Sequence, residues 1–308
     1  MGRGTIGGVR GVVDIGWRVL AIAIVYAVLS VGFNLLSGTR PSVQGVVVGL
    51  VTGAGFALVL LPLARRLPYR MRTRIIALFV PLYWIFSLSN LVEAYFYTTL
   101  SHASLAAGAV FLAIPSLAVS AMVAWLFPGR PQVQPVEGIW ELLSRRPFLS
   151  WVWRTLLAGL LFAVVLQLAG KAWGPLISPY YHDPAYIARA HIANPPPPGY
   201  VTWPEEAVRG IVFVLALLPV LAVVRGRGWP AILAVGAYVA LIDAALEGWL
   251  SMLGNAGFPT GFRIGEGLDL TTDAVVRGVF IAVLLALPVV ASGRRPATGV
   301  ATGAAPAT

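Results

Sequence analysis

Apolar residues fill eight stretches of this chain, roughly 16–37, 43–64, 74–98, 104–127, 151–172, 207–224, 229–253 and 273–291, and polar residues crowd into the connections between them. Most stretches approach the ~20 residues that a helix needs to cross about 30 Å of hydrocarbon. Pro81, Pro115 and Pro219 fall inside them. They would break a soluble helix, but a transmembrane helix accepts them when neighbouring groups satisfy the freed carbonyls, so kinks are expected there. The first stretch follows Arg3 and Arg10 and has no small-residue cleavage site after its apolar core, so it reads as a retained helix and not a removed signal peptide. The pattern predicts an all-α, polytopic membrane protein of eight transmembrane helices.

Composition agrees. Hydrophobic residues make up 58% and charged residues 11%, against roughly a quarter charged in soluble domains, and the mean hydropathy is +0.82. The formal charge of +10 would suit nucleic acid, but the basic residues sit at helix ends and form no continuous patch, so the bilayer is the expected partner. Arginine gathers in Arg3, Arg10 and Arg18, in Arg65, Arg66, Arg70, Arg72 and Arg74, in Arg130, Arg145 and Arg146, in Arg225 and Arg227, and in Arg294 and Arg295. With eight spans every group lies on one side, which places both termini in the cytoplasm of a cell-membrane protein. Asp183, Glu205, Glu206, Glu266, Asp269 and Asp273 fall on the other side. The absence of cysteine excludes disulfide frameworks and thiolate metal sites.

Two halves can be superposed. Trp17-Arg18 lies over Trp153-Arg154, Gln44-Gly45 over Arg209-Gly210, Glu93-Ala94-Tyr95 over Glu247-Gly248-Trp249, and Gly108 over Gly278. Four spans per half is an even number, so both halves would share one orientation about an axis along the membrane normal, as in parallel-repeat transporters. The domain reading is a first four-helix half over 1–130, an interfacial linker helix over 131–147, a second half over 148–295 with an external loop at 173–206, and a disordered tail at 296–308. The linker carries Val136, Ile139, Trp140 and Leu143 on one helical face. The loop, with Tyr180, Tyr181, Tyr186, Tyr200, Trp203 and the run Pro195 to Pro198, is expected to lie across the outer surface.

An ionisable group within a span costs at least ~2.5–3.5 kcal/mol on insertion scales, so it faces a partner or a wet cavity. Glu93, Asp243 and Glu247 are such groups, with Asn90 and Asp243 one turn below the two glutamates. Arg209 and Arg277 begin spans six and eight at a similar depth, and an arginine there is placed to pair with Glu247. The candidate substrate- or proton-binding set is Asn90, Glu93, Arg209, Asp243, Glu247 and Arg277, around a polar cavity open to the outside. The competing reading is that these groups only fasten helices together.

Other signals carry less. Glu205-Glu206-Ala-Val-Arg209 resembles the Glu-Glu-x-x-x-Arg motif of the CPBP intramembrane proteases, related to CAAX-processing enzymes, with one residue fewer. That family completes its site with downstream histidines, whereas the last histidine here is His191, before the motif. Glu205 and Glu206 then read as first-turn acids favourable at a helix N-terminus. His102, His182 and His191 lie in connections, so haem ligation and a metal site are not expected, and no cofactor or catalytic residue is assigned. Gly45, Gly49 and Gly53 permit close helix packing, and Trp17, Trp151, Trp153 and Trp229 read as interfacial anchors. The functional expectation is a transporter-like protein moving a small solute or lipid-derived molecule, with proton coupling through Glu93 and Glu247. The alternatives are a non-catalytic assembly subunit of a membrane complex and a membrane enzyme on a lipid-linked substrate.

Overall fold

The computed structural model describes residues 4–36, 38, 40–67, 70–129, 139–144, 146–193, 195–223, 229–254 and 258–286. In chain order the helices are α1 (Gly4–Leu36), α2 (Val43–Arg66), α3 (Met71–Tyr97), α4 (His102–Leu126), α5 (Ile139–Ser144), α6 (Phe148–Tyr181), α7 (Pro184–Ala190), α8 (Gly199–Val223), α9 (Trp229–Trp249, prolonged by Leu250–Gly254) and α10 (Thr260–Ala286). Seven of them, α1 from Gly11 onward, α2, α3, α4, α6, α8 and α9, are long and apolar enough to cross a membrane. The chain is an all-helical integral membrane protein. The eighth expected span, 273–291, corresponds to the second part of α10; residues 287–291 lie outside the described residues. Asp269, Asp273 and Arg277 keep α10 more polar than the other seven.

The bundle is apolar on its outside as well as inside. Leu20, Ile24, Val28, Val51, Leu58, Ile114, Leu156, Leu160 and Leu233 are exposed, whereas a water-soluble bundle turns such residues inward. Lipid is the solvent that makes this surface stable, and the intrahelical bonds satisfy the backbone within it. Phe56, Phe127, Phe162 and Phe213 are among the largest fully buried side chains.

Close approach is arranged by glycine. A Cβ on Gly53 of α2 would stand 2.8 Å from Ala23 Cα of α1, and one on Gly210 of α8 would stand 2.8 Å from Gly159 Cα of α6. Gly49 and Gly53 therefore pack within the bundle, as their spacing implies. Two helices unwind locally to the wider π turn, α3 over Trp84–Leu88 just after Pro81 and α9 over Leu241–Trp249. Such stretches are uncommon and concentrate at functional sites. Pro219 follows a break in α8 at Leu217, while α4 runs unbroken through Pro115.

One end of the bundle carries arginines that cap helices. Arg18 of α1 and Arg74 of α3 donate to the last carbonyls of α4 and α2: Arg18 to Leu126 O, and Arg74 to Ala64 O at 3.0 Å and Phe127 O at 2.7 Å. Arg154 of α6 donates to Leu284 O, and Arg146 to Leu284 O and Leu285 O at 3.2 and 2.8 Å. At the end of a helix such carbonyls lack intrahelical donors and carry the negative end of the helix dipole, so a guanidinium beside Leu126 O and Ala64 O satisfies both needs. Trp17 and Trp153 lie under Arg18 and Arg154 and are half exposed, but Trp151 is buried and donates to Leu143 O at 2.9 Å. Trp151 therefore pins α5 and is no lipid anchor. Of the expected linker helix only Ile139–Ser144 is described; 131–138, like the tail 296–308, lies outside the described residues.

The opposite end differs most from expectation. The segment 173–206 is not one surface loop. Residues 173–181 prolong α6 through Pro175 and Pro179, and 199–206 open α8. Aromatic packing explains why helix persists beyond the apolar stretch. Tyr180, Tyr186 and Phe258 pack around Phe262 of α10 at centroid distances of 5.6, 5.0 and 5.2 Å. A short bridge from Thr98 to Ile192 ties the α3–α4 turn to the segment after α7.

Candidate functional site

Because α8 begins at Gly199, Glu205, Glu206 and Arg209 sit two turns into it and not at its entry. Their spacings of four and three place both carboxylates on the arginine's own face. The glycine crossing with α6 presses that face into the protein, leaving the side chains of Arg209, Glu205 and Glu206 only 4%, 2% and 0% exposed. Arg209 Nη1 donates to Glu206 Oε1 at 2.7 Å, and Nη2 to Glu93 Oε2 at 2.8 Å. Its Nε lies 3.6 Å from Glu205 Oε1, and Nε and Nη2 share Ser89 Oγ at 3.3 and 3.2 Å. Ser89 and Glu93 are one turn apart and follow directly after the π stretch of α3, which sets the face they present.

A second arginine repeats the arrangement one helix away. Arg277 of α10 donates through Nη2 to Asp243 Oδ2 at 2.6 Å, on the π stretch of α9, and to Asp273 one turn earlier on its own helix. All three residues are buried. Phe162 stands between the two groups: the Arg209 guanidinium lies 5.7 Å and that of Arg277 4.3 Å from its ring centre. Arg277 also lies 4.9 Å from the ring centre of Phe213. The negative ring faces help offset the loss of water around both cations.

Of the six expected residues, the structure brings Glu93 to Arg209 and Asp243 to Arg277. It does not pair an arginine with Glu247: among the described residues Glu247 makes no ion pair, and its electrostatic neighbours are Asp243, Glu93, Glu266 and Arg277. Both guanidiniums are taken by nearer carboxylates. Asn90 is half buried and makes no hydrogen bond within the cluster. The spacing argument missed Ser89, Glu205, Glu206, Asp273 and Phe162. Apolar length puts Glu205, Glu206 and Asp273 on the outer side at the starts of their spans, and the structure buries all three. The i,i+3 and i,i+4 spacing to Arg209 and Arg277 was the available signal, and it outranks hydropathy when an arginine must be satisfied in lipid.

Carboxylates outnumber arginines throughout. Glu93, Glu205 and Glu206 share Arg209, Asp243 and Asp273 share Arg277, and Glu247, Glu266 and Asp269 stand within electrostatic reach of these groups. Eight of the twelve acids in the sequence therefore meet at one end of the bundle. Glu93, with its side chain 41% exposed, is where this network opens outward. Among the described residues no three acids or histidines are arranged to hold a metal ion. No family model matches the chain, and comparison with curated proteins and with solved structures gives no match.

Proposed function

We propose that this protein is a transporter-like carrier that moves a small solute or lipid-derived molecule, coupled to protons through intramembrane carboxyl groups. The reading rests on one observation: a buried carboxylate network with too few arginines to neutralise it, reached through the half-exposed Glu93. Carboxylates sunk in a low-dielectric bundle repel one another, and a surplus of them becomes stable when protons are bound. A buried site that can gain and lose protons is what a proton-coupled carrier requires.

The proposal includes eight crossings in two four-helix halves of parallel orientation, with both termini cytoplasmic in a cell membrane. Three correspondences support it. The Trp-Arg pair of α1 caps α4, and that of α6 caps α10. The π stretches fall in α3 and α9, the helices that carry Glu93 and Glu247. Helices α1 and α2 cross at glycine, as do α6 and α8.

The test is a proton-flux assay in vesicles carrying the purified protein and a pH-sensitive dye, with a panel of solutes. Solute-dependent proton movement is expected from the wild type and its loss from Glu93→Gln/Glu247→Gln with thermal stability retained; full flux in the double variant overturns coupling through these residues. The assembly reading draws on the Arg277–Asp243–Asp273 group, which is buried and ties α9 to α10 in the manner of a fastener. That reading predicts no solute-dependent flux, and co-purification with a membrane subunit.

A further inference from the structure

We infer that Glu205 and Glu206 hold a single proton between their two carboxyl groups, and that this pair is the proton-binding element of the network. The inference deepens the transport reading and rests on it for its purpose. The two carboxyls converge on one guanidinium, Glu206 Oε1 at 2.7 Å and Glu205 Oε1 at 3.6 Å from Arg209 nitrogens, with side chains 0% and 2% exposed. Two carboxylates that close accept a hydrogen bond from each other only if one carries a proton, because an ionised carboxylate has no hydrogen to donate.

Among the described residues no other cation neutralises the pair. Both oxygens of Glu205 and Oε2 of Glu206 are buried without a hydrogen-bond donor. Arg209 spends its short contacts on Glu206, Glu93 and Ser89 and reaches Glu205 only at 3.6 Å. From α3 the facing groups are Ser89, Glu93 and the Tyr97 hydroxyl; from α8 itself they are Arg209 and Thr202. From α6 the facing side chain is Phe162, with Arg277 on its far side. One guanidinium thus serves three carboxyls, and the excess falls on the two that are sealed from water. The proton is the cation that needs no coordination sphere of its own, and the described residues offer no three-ligand metal arrangement. No covalent bond forms or breaks beyond the O–H itself: the proton sits on one carboxyl oxygen, is donated to the other, and leaves to water through Glu93.

Infrared spectroscopy of the protein in vesicles at neutral pH tests this directly, through the C=O band of a protonated carboxyl and its shift in heavy water. The expected result is one such band lost in both Glu205→Gln and Glu206→Gln and kept in Glu93→Gln. Either glutamine keeps the donor while removing one acid, so both variants retain the fold, checked by thermal unfolding. The inference is overturned if neither substitution removes a band, if each removes a different one, or if Glu93→Gln removes it. A shared band together with unchanged solute-dependent proton flux in both variants leaves the proton pair standing and sinks the coupling role instead.

Discussion

Arg209 is the residue on which the acidic end of the molecule turns. It touches Glu206 at 2.7 Å, Glu93 at 2.8 Å and Ser89 Oγ at 3.2 Å, and removing it strands the buried carboxylates of Glu205 and Glu206 without their cation. Breaking a buried ion pair from one side costs about 3–5 kcal/mol, because the remaining charge is left uncompensated. Arg209→Ala is therefore expected to lower stability by roughly that amount in reversible unfolding from mixed micelles. Ser89→Ala, which removes a single neutral acceptor, is expected to cost about 1 kcal/mol. Equal and small losses in the two variants would show that Arg209 is not the hub. Arg277 offers a parallel case: Phe162→Leu takes away the ring face that both guanidiniums share, and each such contact contributes about 0.5–2 kcal/mol. At this scale the sequence was half legible. Glu93, Asp243 and Glu247 stood out because a charge within an apolar run is costly wherever it lies. Glu205, Glu206 and Asp273 did not, because they lie at or just outside the ends of the apolar runs, and only their spacing to Arg209 and Arg277 hints at the burial that the structure shows.

Helix contacts in this protein are set by what is missing from glycine. At Gly210 a Cβ would stand 2.5 Å from Phe162 Cβ, and at Gly159 a Cβ would stand 2.6 Å from Ala207 O. Neither neighbour can yield without moving α6 from α8, so Gly210→Ala is expected to destabilise by roughly 1–3 kcal/mol, the usual cost of overpacking. The same step separates Phe162 from Arg209, and proton flux should fall with stability. Gly170→Ala on α6 meets nothing within 4 Å and is expected to be neutral or stabilising, since alanine favours helix over glycine by about 1 kcal/mol. If both variants unfold alike, the crossing is not tightly packed. The apolar runs made every span legible as a helix, because length and hydropathy decide that in lipid. They did not reveal that α6 reaches Tyr181 or that α8 starts at Gly199. The added turns of α6 are held by rings of Tyr180, Tyr186 and Phe262, the last from α10, a contact no local pattern encodes.

For the whole molecule the decisive quantity is the parity of crossings. Seven crossings put the two ends of the chain on opposite faces, and eight put them on the same face. Helix α10 decides which, and its charges argue for passage. Arg277 is neutralised by Asp243 from α9 and by Asp273 from its own helix, and all three are buried among helices, away from lipid. An arginine paired with carboxylates and turned inward does not bear the full cost of an unpaired charge in hydrocarbon. Past it, Val279, Phe280, Ile281, Val283, Leu284 and Leu285 continue the apolar run to the carbonyls that Arg146 and Arg154 cap, level with Arg18 at the end of α4. The chain holds no cysteine, so Gly2→Cys and Ala305→Cys variants each carry one thiol against no background. In vesicles of one known orientation, a membrane-impermeant maleimide is expected to label both from the same side. Labelling from opposite sides would reduce the crossings to an odd number, remove the parallel relation of the halves, and leave the carboxylate network without the axis that makes α3 and α9 equivalent.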